Sequence, residues 1–230
     1  MDYRRLGGSG LLVSSIGLGT NTFGTDLDEA GATKVVHTFL DTGANFIDTS
    51  DSYPPFGKLG DSEVFIGRAL KGGWREKAIV ATKVASKVGP GPNDVGTSRQ
   101  HVIEGVEADL RRLDMDYVDL LQIHRPDIGT PIEETLRALD DLISAGKIRY
   151  IGCSNYAGWM LVEAMWTSRR EHLAPFVSVQ PEYNLLSRGI ERELVPACLK
   201  YGVGIIPYSP LAGGFLTGKY LQGQERPADT

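Results

Sequence analysis

Apolar and polar positions repeat along this chain in a two-part pattern. A short run of Ile, Val and Leu is followed each time by a longer stretch whose apolar residues recur at helical spacing. The first run is Ser15-Ile16-Gly17-Leu18; a helix is predicted from about Asp28, with Ala30, Val35, Val36 and Leu40 on its apolar face and Gly43 at its end. Phe46-Ile47-Asp48 predicts a second strand, followed by a helix through Val64, Ile66 and Leu70. Ala78 to Thr82 predicts a third, with a helix from about Ser98 to Leu113. Val118 to Ile123 is the fourth, its helix starting at Pro131 behind Thr130 as cap and ending near Ala145-Gly146. Ile148 to Cys153 is the fifth, with a helix through Leu161, Ala164 and Trp166. Val177 to Val179 is the sixth, with a helix from about Ile190 to Tyr201, and Val203 to Ile206 the seventh. Ahead of them Leu6 to Val13 reads as a small hairpin, turned at Gly7-Gly8-Ser9-Gly10 with Tyr3 and Leu11 to Val13 in its arms.

Seven strand-then-helix units imply an α/β protein with a parallel sheet. The sheet is either open and doubly wound or closed into a barrel. Even spacing favours the barrel, and Gly17-Leu18-Gly19 followed by Phe23-Gly24 breaks the dinucleotide-binding glycine pattern. The expectation is a single (β/α)8 TIM barrel domain over residues 1–230 with an N-terminal β-hairpin. A closed barrel needs eight strands. The stretch from Leu221 to Thr230 is polar and shows no strand signal, so the barrel is expected to be truncated after strand seven, its last unit absent or supplied by another chain.

In such a barrel, chemistry gathers at the C-terminal strand ends. Those ends carry Asp48-Thr49-Ser50 with Tyr53 just beyond, then Lys83, His124, Ser154-Asn155, Gln180 and Tyr208-Ser209. Singly, each has an ordinary reading: a turn cap, a solvated charge, a packed histidine, a loop aromatic. Together they make chemical sense. Tyrosine, with a reference pKa of about 10, is a weak acid at neutral pH. A neighbouring ammonium favours the phenolate, and a carboxylate can hold that ammonium in place. Lys83 and Asp48 suit those roles, and a neutral His124 suits a hydrogen bond to a substrate oxygen that gains negative charge.

Composition narrows the partners. Lys and Arg number 24 against 29 Asp and Glu, a net charge of −5, which argues against nucleic acid. Two cysteines, Cys153 and Cys198, make no disulfide framework and, with no Cys/His cluster, suggest no metal. The N-terminal residues lack a signal-peptide run, and the apolar runs fall well short of the ~20 residues of a membrane helix. A cytoplasmic location and no membrane partner are expected. Gly213 and Gly218-Lys219 imitate a phosphate loop, but Tyr220 stands where Ser or Thr would hold magnesium.

The chain resembles the aldo-keto reductase superfamily, particularly its microbial branch, which is similar to potassium-channel β subunits. The resemblance is carried by Gly43 to Ser50 with Tyr53, Ala81-Thr82-Lys83, Asp119 to Asp127, Gly146 to Asn155, Gln180 to Asn184, and Pro207 to Leu211. It implies a catalytic tetrad of Asp48, Tyr53, Lys83 and His124. It also implies cofactor contacts from Gly19, Thr20, Asp48, Ser154, Asn155, Gln180 and Pro210, with Tyr208 stacked on nicotinamide and Ser209, Leu211 and Gly213 along the pyrophosphate. The implied reaction is hydride transfer from NADPH to an aldehyde or ketone, with Tyr53 giving the proton. NADH stays open, because the family's adenine contacts mostly lie beyond strand seven. Small carbonyl or sugar-like substrates are implied, and an oligomer is compatible. Tyr53, Phe56, Trp74 and Arg125 are candidate pocket residues, and the loop from Pro54 to Gly60 is longer than the family's common form. Two alternatives remain: a cofactor-sensing binding subunit with little turnover, and another barrel enzyme that handles a phosphate.

Overall fold

The structure is a computed structural model and describes residues 1–220. Strand β1 (Tyr3–Arg5) pairs antiparallel with β2 (Leu12–Ser14), Tyr3 opposite Ser14. Between them Gly7, at φ +56°, presses against the backbone of Val177, Gly202 and Gly204, where a side chain has no room. The Gly8 N–H donates to the Gly202 carbonyl at 2.6 Å, fastening the hairpin beneath the sheet.

Among the described residues seven parallel strands follow in sequence order: β3 (Gly17–Gly19), β4 (Phe46–Asp48), β5 (Ile79–Val84), β6 (Val118–Ile123), β7 (Ile148–Ser154), β8 (Ser178–Gln180) and β9 (Gly204–Ile205). Among the described residues β3 and β9 are the edges. The result is the curled α/β sheet of a partial TIM barrel, with the hairpin at its base. The predicted segment from Leu221 to Thr230 lies outside the described residues.

Among the described residues six helices cover the outer face: α1 (Glu29–Asp41), α2 (Asp61–Ala69), α3 (Arg99–Leu113), α4 (Ile132–Ser144), α5 (Gly158–Glu171) and α6 (Leu194–Tyr201). Each packs on the next, as short right-handed crossovers require. Helix α1 starts where Asp28 accepts the Gly31 N–H at 2.8 Å, and buries Ala32, Val36 and Leu40 in one stripe. Helix α3 starts at Ser98, whose hydroxyl accepts the His101 N–H at 3.3 Å.

Strand alternation sorts the core into two layers. Ile47, Val80, Leu121, Ile151 and Val179 point outward into the main apolar core beneath the helices. Phe46, Ala81 and Leu120 point inward, where they meet Leu6 and Val13 of the hairpin. The hairpin therefore seals the apolar lower part of the barrel interior and leaves its upper rim for polar groups.

Four local expectations are corrected. Strand β3 runs one to two residues later than Ser15 to Leu18. Ala30 is exposed, and Ala32 takes its place on the buried stripe. Pro131, not Thr130, occupies the cap position of α4, because the Thr130 hydroxyl donates to Asp127 at 2.8 Å. The predicted helix from Ile190 to Tyr201 breaks at Glu193, whose backbone is non-helical, into a single 3-10 turn (Gly189–Arg192) and α6. The predicted helix through Leu161, Ala164 and Trp166 occurs as α5, with Trp166 on its solvent face.

Helix α2 crosses α3 at Gly67, where a β-carbon would enter the Leu113 backbone. Gly67→Ala is expected to destabilise the fold by about 1–3 kcal/mol. Gly189→Ala, in open space, should change stability by less than about 0.5 kcal/mol. Urea unfolding midpoints compare the two; equal midpoints would remove Gly67 as the contact that sets this crossing.

Candidate active site

The alternation that turns Phe46 and Ala81 inward also turns Asp48 and Lys83 inward, two residues further along each strand. Parallel register then brings neighbouring strand ends together: Lys83 lies opposite Gln122, and Ser154 opposite Gln180. Lys83 is fully buried, and its Nζ lies 2.5 Å from Asp48 Oδ2. It also donates to the Thr49 carbonyl at 2.8 Å and the Tyr53 hydroxyl at 3.4 Å. Burial is the strongest influence on this ammonium and disfavours it, but Asp48 and Tyr53 together more than offset that, so its pKa is raised and it stays charged.

The other oxygen of Asp48 is held as firmly. Oδ1 accepts from Gln122 Nε2 at 2.8 Å and Gln180 Nε2 at 2.9 Å. Gln122 is thus a member of the site that the strand pattern concealed within an apolar run. Its signal was present: it falls between Leu120 and His124 on the inward face.

Tyr53 follows β4 in a loop folded back on itself. The Gly60 N–H donates to the Tyr53 carbonyl at 2.9 Å, which anchors the residue from the far side of the loop. The Tyr53 and His124 rings meet edge to face, with centroids 5.7 Å apart. His124 Nδ1 is ringed by the hydroxyls of Ser86 at 3.0 Å, Ser50 at 3.1 Å and Ser52 at 3.4 Å. Burial, then Lys83 and Arg125, push the His124 pKa down to about 3. Its imidazole is therefore neutral at physiological pH.

These groups border a cavity of about 1260 Å³, lined among others by Gly19, Asp48, Tyr53, His124, Arg125 and Tyr208. Thr20, Ser154, Asn155, Gln180, Ser209 and Pro210 line it too. The rim is internally braced. The Ser154 hydroxyl donates to the Gln180 carbonyl at 2.7 Å, Asn155 Nδ2 donates to the His124 carbonyl at 3.0 Å, and the Tyr208 hydroxyl donates to Asn155 Oδ1 at 2.9 Å. Asn155 and Ser209 both adopt positive φ, at 60° and 52°. Such backbone is costly outside glycine and tends to cluster at functional sites.

Other predicted residues lie elsewhere. Leu211 and Gly213 sit outside the lining, Leu211 just before and Gly213 within a 3-10 turn (Ala212–Thr217). Phe56 is 95% exposed, and Pro55 and Leu59 line the cavity instead. Trp74 stacks on His37 at 4.0 Å, away from the cavity. The Thr20 hydroxyl is spent on the Asp48 carbonyl and Ser62.

Behind the site, between sheet and helices, lies a second polar cluster. Arg112 of α3 pairs with Glu63 of α2 at 2.6 Å and with Asp109 at 2.5 Å, and Glu63 accepts from Thr82 at 2.5 Å. Asp51 is buried beside them and accepts from Ser50 at 2.9 Å. Burial raises the pKa of all three carboxyls. Asp51 is carried to about 7, by burial first and Glu63 second, against the opposing pull of Ser50, Arg112 and Ser52.

The model of the aldo/keto reductase family matches residues 15–229 of this chain. A probable voltage-gated potassium channel subunit beta of Arabidopsis thaliana is 43% identical over 226 residues, 97% of this chain and 68% of that protein. One of the same name from Oryza sativa subsp. japonica is 42% identical, over 100% of this chain and 70% of that protein. The uncharacterized oxidoreductase YrpG of Bacillus subtilis (strain 168) is 40% identical, over 96% of this chain and 70% of that protein.

A carboxyl with a raised folded pKa stabilises fully below its unfolded pKa and loses that contribution as pH rises through the folded value. For Asp51 the window runs from the ordinary 3.8 to about 7. Asp51→Asn, which never ionises, should melt above the wild type at about pH 8, with the gap closing by about pH 4. Melting curves at both pH values check this. A variant that melts below the wild type at the higher pH would show that the ionised carboxylate is not the costly state.

Proposed function

Because the chain belongs to the aldo/keto reductase family, we propose that it reduces an aldehyde or ketone to an alcohol with NADPH, Tyr53 supplying the proton. Its oxidoreductase character is supported at family level and by its likeness to an oxidoreductase. The observation that carries the finer reading is the buried Lys83 ammonium, locked to Asp48 and 3.4 Å from the Tyr53 hydroxyl at the wall of a large cavity.

A nicotinamide cofactor suits this rim. Gln180 commits its Nε2 to Asp48 and Gln122, which leaves Oε1 without a partner among the described residues as an acceptor for a carboxamide. Tyr208 keeps 37% of its surface exposed at the cavity, an aromatic face for a flat ring. When bound, the nicotinamide supplies hydride to the carbonyl carbon. Tyr53 gives its proton to the carbonyl oxygen, and the fixed charge of Lys83 stabilises the phenolate left behind. Asp48, Gln122 and Gln180 keep Lys83 aimed at Tyr53, so no reorganisation is needed as charge develops. Neutral His124 offers a ring N–H to the same oxygen. Arg125 at the lining favours substrates with a polar or anionic tail, sugar-like ones included.

A second reading has its own support. Two relatives above 40% identity are named as potassium channel β subunits. On that reading the chain binds the cofactor, turns over little and docks on a membrane protein. Stable co-purification with a channel, together with negligible reduction across an aldehyde panel, would favour it.

Tyr53→Phe should lower turnover by about 10²–10⁴-fold while NADPH affinity stays within about twofold. Nicotinamide fluorescence reads the binding better than tryptophan, since Trp159 and Trp166 are exposed on α5 and Trp74 lies away from the cavity. Unchanged turnover in the variant would end the assignment of Tyr53 as acid.

A further inference from the structure

His124 assists a carbonyl oxygen only if Nε2, the ring nitrogen outside its contacts with the serines, carries the hydrogen. That choice of tautomer is made on the other side of the ring. Nδ1 lies 3.1 Å from Ser50 Oγ, and Ser50 Oγ lies 2.9 Å from Asp51 Oδ1. Ser50 and Asp51 are both buried. A hydroxyl has one hydrogen to give, so the state of the carboxyl dictates which way Ser50 points.

We propose that Asp51, acting through the Ser50 hydroxyl, is a positioning residue that sets which nitrogen of His124 bears the proton. This rests on the reductase reading for its consequence, though not for its existence. With Asp51 ionised, Ser50 O–H donates to the carboxylate, Ser50 Oγ accepts Nδ1–H, and Nε2 is bare. With Asp51 protonated, its O–H donates to Ser50 Oγ, Ser50 O–H donates to Nδ1, and Nε2 carries the hydrogen. The interconversion balances. One proton enters at Nε2 from the cavity, Nδ1–H passes to Ser50 Oγ, and the original Ser50 proton passes to Asp51 Oδ1.

The surroundings favour such a change within the working pH range. Asp51 is faced by Glu63 of α2, by Asp109 and Arg112 of α3, and by Ser50 and Ser52 of its own loop; its N–H donates to the Lys83 carbonyl at 3.1 Å. It titrates near 7 in this setting. His124, faced by Lys83 and Arg125, stays neutral throughout. Ser86 offers the competing influence. Ser52 O–H donates to Ser86 Oγ at 3.1 Å, so the Ser86 hydrogen is available to Nδ1 and supports the Nε2–H form. Asp51 ionisation tips this balance the other way.

The test is imidazole 15N–1H correlation on the full chain between about pH 5.5 and about pH 9, with His124 identified by its loss in His124→Asn. The chain has four histidines, so the spectrum is simple. In the wild type the Nε2 signal of His124 should move from the protonated to the bare range with a midpoint near pH 7. Asp51→Asn, whose amide donates permanently to Ser50, and Ser50→Ala, which leaves Nδ1 to Ser86, should both hold Nε2 protonated throughout. In turnover, the wild type should lose about tenfold per pH unit above that midpoint, and Asp51→Asn should not. A wild-type tautomer that ignores pH, or one that switches equally in Asp51→Asn, would overturn the proposal. The 15N readout needs no catalysis, so a failed aldehyde assay with an intact switch would count against the reductase reading alone.

Discussion

A lysine with no exposed surface is the constraint around which this molecule is arranged. Removing an ammonium from water costs several kcal/mol unless its hydrogen bonds and charge are met. Lys83 meets that requirement with one carboxylate, one carbonyl and one phenol, each from the adjacent strand β4 or the loop that follows it. The carboxylate is itself pinned by two glutamines from β6 and β8. Four strands must therefore hold their register for one charge to be tolerated, and a one-residue slip in any of them would turn its contributor out of the barrel. The hairpin plug is consistent with this: it packs on Phe46, Ala81 and Leu120 and seals the apolar interior beneath the polar layer.

Much of this was legible in the chain itself. Phe46 to Asp48 and Val118 to Ile123 are bounded by turns and rich in β-formers, and both strands occur where the pattern put them. Asp28 and Ser98 announce helix starts because their side chains satisfy backbone donors locally, within three residues. Thr130 misled for the same local reason turned around: its hydroxyl had a better acceptor in Asp127, which also takes the N–H groups of Thr97 and Gly129. The strand-end residues were readable because parallel strands deliver their ends to one rim.

What stayed hidden depends on distance along the chain. Gln122 reads as a polar lapse in an apolar strand until β4 and β8 bring Asp48 and Gln180 beside it. Glu63, Asp109 and Arg112 look like ordinary solvated helix charges, and only the close crossing of α2 and α3 at Gly67 buries them together. Thr82 and Lys83 show how the two polar clusters are related. As neighbours on β5 they point to opposite faces, Thr82 outward to Glu63 and Lys83 inward to Asp48. The sheet is thus a thin wall with a charge network on each side, and the loop holding Ser50 and Asp51 passes around its upper edge to connect them.

The central claim is the proposed one, that a substrate carbonyl takes a hydride from bound NADPH while Tyr53 gives the proton to its oxygen. It is tested most directly by offering NADPH deuterated at nicotinamide C4, on its transferable face, with a simple aromatic aldehyde. The account predicts an alcohol with deuterium on its carbinol carbon and a solvent-derived hydrogen on oxygen. Alcohol formed without deuterium on carbon, or tight cofactor binding with no alcohol at all from any aldehyde, would contradict it.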